Sequence, residues 1–185
     1  MGQLTVGSNP TPSAEAPGGP ERAPGDAPSR RLTCGAVDDL DAMGLAIAEA
    51  RLALDHGDVP VGAIALRDGE VVARAHNERE LLGDPTAHAE LLVVRRAAEA
   101  LGRWRLDDVT VVVTLEPCTM CAGALLGARV ARVVFGADDP KAGACGSLYN
   151  VFADPRLNHE IPLRARVRAA ECGELLTSFF LDRRG

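Results

Sequence analysis

Two cysteines three apart, Cys118 and Cys121, follow Pro117 just after the apolar run Val109-Thr110-Val111-Val112-Val113. The run reads as a buried strand, because β-branched residues fit a pleated surface covered on both faces. Pro117 suits the first position of a helix, where its missing N–H would have no partner anyway. Both thiols then fall in the first helical turn on one face, where unpaired N–H groups and the positive end of the dipole favour thiolates. This is a metal clamp, but two ligands do not complete a zinc site. The candidate third ligand is His88, in Asp84-Pro85-Thr86-Ala87-His88-Ala89-Glu90, a second proline-marked helix start expected to run to about Leu101. One imidazole and two thiolates bring a zinc centre near neutrality and leave a fourth position for water, whose pKa would fall toward ~7. Glu90, a poor choice as fourth ligand, is placed to carry protons to and from that water.

His-x-Glu combined with Pro-Cys-x-x-Cys matches the signature of zinc-dependent nucleobase deaminases. Two plainer readings compete. A Cys-x-x-Cys can be a redox pair, although such motifs lack the upstream His-x-Glu. A closed structural zinc needs a fourth ligand, and Cys34, Cys145, His159 and Cys172 are available, though none comes with a second Cys-x-x-Cys or His-x-His pair.

Around these residues stands a chain of 185 residues with 46% apolar content, enough for one domain with a real core. A net charge of −6 and a pI near 5.2 argue against a general polyanion binder but leave room for a local basic patch. Five cysteines without a signal peptide point to a reducing compartment, so a cytoplasmic protein is expected. No apolar run approaches a membrane span, and no membrane partner is expected.

Residues 1–37 form a separate stretch: six of the twelve prolines precede Arg31, among Gly, Ser, Ala and Thr, and a disordered extension is expected there. Cys34 reads as a solvated thiol within it. Residues 38–185 carry the domain. Asp38 to Asp55 reads as a helix closed by His56-Gly57, and Val61–Leu66 with Glu70–Ala75 as a hairpin about Asp68-Gly69. Asn77 ends the second strand, either as a turn residue of the loop to Gly83 or as a functional amide. Trp104, among Arg95, Arg96, Arg103 and Arg105, reads as a packing anchor. The Val109 strand, the cysteine helix and a strand from Arg129 to Phe135 make a parallel βαβ unit with a right-handed crossover. The fold class expected is α/β, a three-layer α/β/α sandwich on a mixed, mostly parallel five-stranded sheet, with ligands beyond the strand C-terminal ends. Gly136 to Ser147 is a loop that could shape a substrate rim and holds Lys141, the only lysine in the chain. A last strand, Ile161 to Ala169, alternates Arg164, Arg166 and Arg168 with apolar residues, a solvated edge face or an RNA track. Glu171 to Arg184 is the final helix, its Phe179 and Phe180 read as core with one of the two free to face outward.

Taken together, Val59-Pro60-Val61-Gly62-Ala63, Asn77, the segment Asp84–Glu90, the segment Thr114–Ala124, Arg132–Ala137 and Lys141–Leu148 resemble the bacterial tRNA-specific adenosine deaminases, within the cytidine deaminase-like superfamily. The resemblance covers roughly Asp38 to Arg184. It implies a homodimeric, cytoplasmic enzyme that converts the wobble adenosine of an arginine tRNA (anticodon ACG) to inosine. His88, Cys118 and Cys121 would hold one zinc per subunit, and Glu90 would shuttle protons while hydroxide attacks C6 of the extruded base. The same resemblance implies that Asn77 touches the flipped nucleoside. Asp139 and Lys141 would lie on the anticodon-contacting loop, and Asn158, Phe179, Phe180 and Arg183 would line the RNA path. The sequence departs from the family at Gly83, where a histidine is common, and at Arg183-Arg184-Gly185, where a basic tail is common. On the zinc motif alone, a deaminase of a free base or nucleoside, of guanine or cytosine type, stays open.

Overall fold

The computed structural model describes residues 37–183, so Cys34 and all but the last residue of the expected extension lie outside the described residues. Helix α1 spans Asp39–Leu52 and starts where the Asp38 carboxylate accepts the Leu40 and Asp41 N–H groups, each at 2.8 Å. A 3₁₀ turn, Ala53–His56, closes it. Strands β1 (Gly62–Arg67) and β2 (Glu70–His76) form the expected hairpin, with Asp68 at φ +52° and Gly69 at φ +83°. There follow α2 (Arg79–Leu82), α3 (Ala89–Leu101), β3 (Val109–Leu115), α4 (Thr119–Gly127), β4 (Arg132–Ala137), a two-residue β5 (Leu163–Arg164) and α5 (Ala169–Asp182).

The sheet order is β2-β1-β3-β4-β5. The hairpin and its β1–β3 neighbour are antiparallel, while β3–β4 and β4–β5 are parallel. The sheet is therefore mixed, with its parallel part confined to the three strands that flank the cysteine helix. Alternation along the buried strands divides the core in two. Ala63, Ala65, Val111, Val113, Val133 and Phe135 pack with α3 and α4, through residues such as Val93 and Leu125. Ile64, Leu66, Val112 and Val134 face the other way onto Met43 and Ile47 of α1 and Cys172 of α5. The sandwich thus has helices on both faces, as strands with nearly continuous apolar runs require. No helix among the described residues is long and apolar enough to cross a membrane.

Close approach of α1 to the sheet depends on Gly62. A Cβ there would stand 2.2 Å from the Ala46 carbonyl oxygen and 2.3 Å from the Ala50 nitrogen, both backbone atoms. Gly62→Ala is expected to cost about 1–3 kcal/mol, the usual range for overpacking. Thermal denaturation should show a lower Tm, and an unchanged Tm would mean that α1 can lift away freely.

Five expectations are corrected. Helix α3 begins at Ala89 rather than Pro85, because Asp84 captures both the N–H and the hydroxyl of Thr86 (2.8 and 2.7 Å) and bends that segment into a turn. Cys118 is the N-cap of α4 and lies just outside the first turn. The last strand is cut to two residues, since Arg166 (φ +62°) and Arg168 (φ +53°) adopt left-handed backbone. No basic face forms there: Arg164 pairs with Asp39, Arg166 with Asp138 and Arg168 with Glu171. Trp104 is not a packing anchor in the chain, being 66% exposed.

Candidate active site

The C-terminal ends of the parallel strands β3 and β4 open onto one cavity of about 150 Å³, toward which α3 and α4 both present their N-termini. His88 is the N-cap of α3 and Cys118 that of α4, so the two ligands stand at corresponding places on two helices. His88 Nδ1 is 3.8 Å from Cys118 Sγ and 3.4 Å from Cys121 Sγ, and the three atoms all lie within 4.8 Å of one another. Tetrahedral zinc with the usual Zn–S and Zn–N lengths places its ligand atoms about 3.6 Å apart, so this donor set fits the ion. No fourth His, Cys, Asp or Glu joins the group among the described residues. Cys145 and Cys172 are buried thiols, pushed up by that burial to about 12 and about 11 respectively. The Cys121 side chain and the His88 ring hold the Cys118 thiol down to about 3, while Cys118 and burial push Cys121 up.

Glu90 sits one residue into α3, 4% exposed, and lines the same cavity as His88 and Cys118. Burial pushes its carboxyl up, the direction suited to a group that both takes and gives protons. Asn77 and Asp139 also line this cavity. Asn77 donates its amide to Asp58 Oδ1 (3.4 Å) and to the Val59 carbonyl (3.3 Å), leaving its own Oδ1 buried without a partner among the described residues. It is therefore no simple loop cap.

The other residues expected at the RNA contact are spread more widely. Lys141 and Phe180 line a neighbouring groove of about 510 Å³ that shares Val59, Leu115 and Asp139 with the cavity. Phe180 is 47% exposed and Phe179 is buried, so one of the pair does face outward. Arg183 lies over the Phe179 ring, 4.4 Å from its centroid, and donates to the Gly57 carbonyl; it lines neither the cavity nor the groove. Asn158 accepts from Arg129 (3.0 Å) in a surface cleft beside His159, apart from the cavity within one chain.

Three residues escaped the sequence reading. Arg79 lines the cavity, and its guanidinium makes no ion pair among the described residues, whereas Arg96, Arg103, Arg105, Arg132 and Arg156 are all tied to acids. Glu116, 2% exposed, accepts the N–H groups of Asp139 (3.0 Å), Cys145 (2.9 Å) and Ser147 (3.0 Å) and the Ser147 hydroxyl. Burial pushes its carboxyl up, but these donors outweigh it and hold the group below its ordinary value. Gly143 closes the loop on it, since a Cβ there would stand 2.4 Å from the Glu116 carboxyl carbon. Asp58 is the third. A charged residue next to the catalytic motifs was the only signal for Glu116 and Asp58, and the backbone N–H groups that bind them lie 22 to 31 residues away.

Two proline-led turns that deliver a His and two Cys to the end of a parallel strand pair, with a buried Glu beside them, define a hydrolytic nucleobase deaminase of the cytidine deaminase-like fold. A family model described as MafB19-like deaminase matches residues 37–184. The tRNA-specific adenosine deaminase of Bacillus subtilis (strain 168) is 50% identical over 139 residues, 75% of this chain and 86% of that one. A solved structure from a study of A-to-I editing by tRNA:A34 deaminases at the wobble position is 45% identical with a TM-score of 0.71, covering 73% of this chain and 98% of that one. A guanine deaminase structure from Bacillus subtilis is 30% identical with a TM-score of 0.52, covering 78% and 92%. The chain belongs to the tRNA-specific adenosine deaminase family.

Proposed function

We propose that this enzyme deaminates the wobble adenosine of an arginine tRNA with an ACG anticodon to inosine, adding water and releasing ammonia. The observation that carries this is the convergence of His88 Nδ1, two thiol sulfurs, the buried Glu90 and Asn77 on one small cavity, in a chain half identical to a tRNA deaminase. His88, Cys118 and Cys121 would hold one zinc, which when bound supplies a water acidified to a pKa of about 7. Glu90 takes two protons in turn from the added water at its carboxylate, passing the first to the adenine ring nitrogen and the second to the amine that departs as ammonia. Asn77 Oδ1 offers the flipped nucleoside an acceptor. Because the target base must leave its stack to enter, an unpaired anticodon loop is a far easier substrate than a duplex.

The Arg79 guanidinium at the cavity and Lys141 on the adjoining groove support a polyanionic substrate over a free base, which has no phosphate for them to meet. Asp139, Asn158, Phe180 and Arg183 complete the proposed RNA contacts, whereas Phe179, expected to line the RNA path, is buried beneath Arg183 and packs inward instead. Asn158 lies away from the cavity, so its contact needs a long substrate or a second copy of the chain. A cytoplasmic homodimer is proposed as the working form, and it would cover exposed Leu148, Tyr149 and Leu157.

The test is inosine formation, read by the mass of digested nucleosides. Zinc-loaded protein is incubated with the unmodified arginine tRNA and, separately, with free adenosine, cytidine and guanine. Inosine in the tRNA alone is expected. Deamination of a free base but not of the tRNA would move the chain to the other substrate class and leave its site chemistry intact.

A further inference from the structure

Asp58 takes no part in the chemistry, yet it is among the most buried charged side chains, 1% exposed in the bend before β1. Four donors converge on it. The Glu80 N–H lies 2.9 Å from Oδ1 and 3.2 Å from Oδ2, and the Leu81 N–H 3.1 Å from Oδ2. The His56 ring is 2.9 Å from Oδ2, and the Asn77 amide nitrogen 3.4 Å from Oδ1.

These donors belong to two tasks. Glu80 and Leu81 form the start of α2, whose own N-cap, Glu78, makes no side-chain cap bond, so Asp58 caps that helix from 22 residues away. The Asn77 contact fixes an orientation. Asp58 Oδ1 and the Val59 carbonyl can only accept, so the amide nitrogen must face them and the amide oxygen must turn the other way. That oxygen is the buried, partnerless Oδ1 of a cavity-lining residue. Such an atom is an acceptor held ready for a ligand donor. His56 backs the carboxylate and is itself stacked on His76, ring centroids 5.3 Å apart. Burial pushes Asp58 up, but the Glu80 and Leu81 N–H groups and the His56 ring hold it below the ordinary carboxylate range, so it stays an acceptor at neutral pH.

We propose that Asp58 is a positioning residue for nucleoside recognition: it locks Asn77 with Oδ1 turned into the cavity and holds α2 so that Arg79 stands at the rim. The proposal rests on Asn77 being a nucleoside contact. An asparagine at position 58 could donate to the Asn77 oxygen and let the amide turn round, which a carboxylate forbids.

The experiment is a double-mutant cycle on kcat/KM for the arginine tRNA, with zinc content and Tm measured for every variant. Asp58→Asn is expected to lose about 10- to 100-fold, the effect of one buried hydrogen bond misdirected, with one zinc retained. In an Asn77→Ala background the same change should cost less than about threefold, because the group it positions is gone. Asp58→Glu keeps the acceptor and should stay within about threefold of the parent. Asp58→Ser is the second probe should the asparagine variant not fold. Its hydroxyl can still cap α2 but is too short to hold the amide, so the same loss and the same cancellation are expected. Losses that multiply across the cycle overturn the proposal, as does a loss in Asp58→Glu equal to that in Asp58→Asn. An Asn77→Ala variant with unchanged kcat/KM removes its premise. A parent protein inactive on tRNA would instead indict the substrate assignment.

Discussion

Glu90→Gln is expected to bind one zinc per chain and to form inosine about 10²- to 10⁴-fold more slowly, the usual contribution of a positioned general acid–base group. The substitution is close to isosteric. It keeps the volume of a side chain that is 4% exposed, and it removes a buried carboxyl rather than creating one, so the fold should survive. Only proton traffic changes, because an amide can neither take a proton near neutral pH nor give one up. Metal analysis and single-turnover assays on the same sample separate the two roles of the site. Turnover within tenfold of the parent would assign the proton steps to another group, and loss of zinc would make Glu90 part of the metal shell.

Cys121→Ala should be the most severe single change. It removes one of three donors that lie within 4.8 Å of one another, from a site where no fourth protein ligand stands by among the described residues. Changes to groups that merely support metal ligands cost about 10- to 100-fold in affinity, and loss of a ligand itself should exceed that. Stoichiometric zinc and activity should both disappear. Dialysis of the parent against a chelator should abolish turnover, and added zinc should restore it. Because the ligands bind metal only when deprotonated, retention should weaken as the pH falls. Cys145→Ala is the control: its thiol is buried against the Pro117 carbonyl and should leave zinc content unchanged. Undiminished zinc in Cys121→Ala, or loss in Cys145→Ala, would replace the open three-ligand site by a closed one.

The parts legible in the sequence are those whose cause is local. Asp68-Gly69 can only close a tight hairpin, and the Val109–Leu115 run followed by Pro117 can only be a buried strand feeding a helix. That Cys118 and Cys121 meet at the start of one helix was legible from their spacing, although Cys118 stands at the N-cap rather than inside the first turn. Elsewhere the deciding partner was distant or too brief to show periodicity. Helix α2 has four residues, less than the span over which an amphipathic pattern can be read. Helix α3 starts late because one side-chain oxygen of Asp84 competes for Thr86, a choice that proline statistics do not capture. The alternating arginines after Ile161 imitate a strand face, but Asp39, Asp138 and Glu171 pull each in its own direction. The metal trio was visible in the sequence because its residue types are rare. The carboxylates that shape the cavity, Asp58 and Glu116, were not, because acidic residues are common and their roles come from backbone N–H groups that only the folded chain brings near.

Glu116 grips its loop by main-chain groups, apart from the Ser147 hydroxyl, and this separates how the loop is held from what it displays. Positions 140–142, between the Asp139 and Cys145 anchors, contribute none of the donors to that carboxylate, yet Pro140 and Lys141 face the groove and Ala142 faces the cavity. The side chains there can be exchanged as a cassette while the anchoring stays put. Selection, natural or in the laboratory, thus has three adjacent codons in which to retune the substrates admitted without disturbing the ligands of the metal, which reside on other elements.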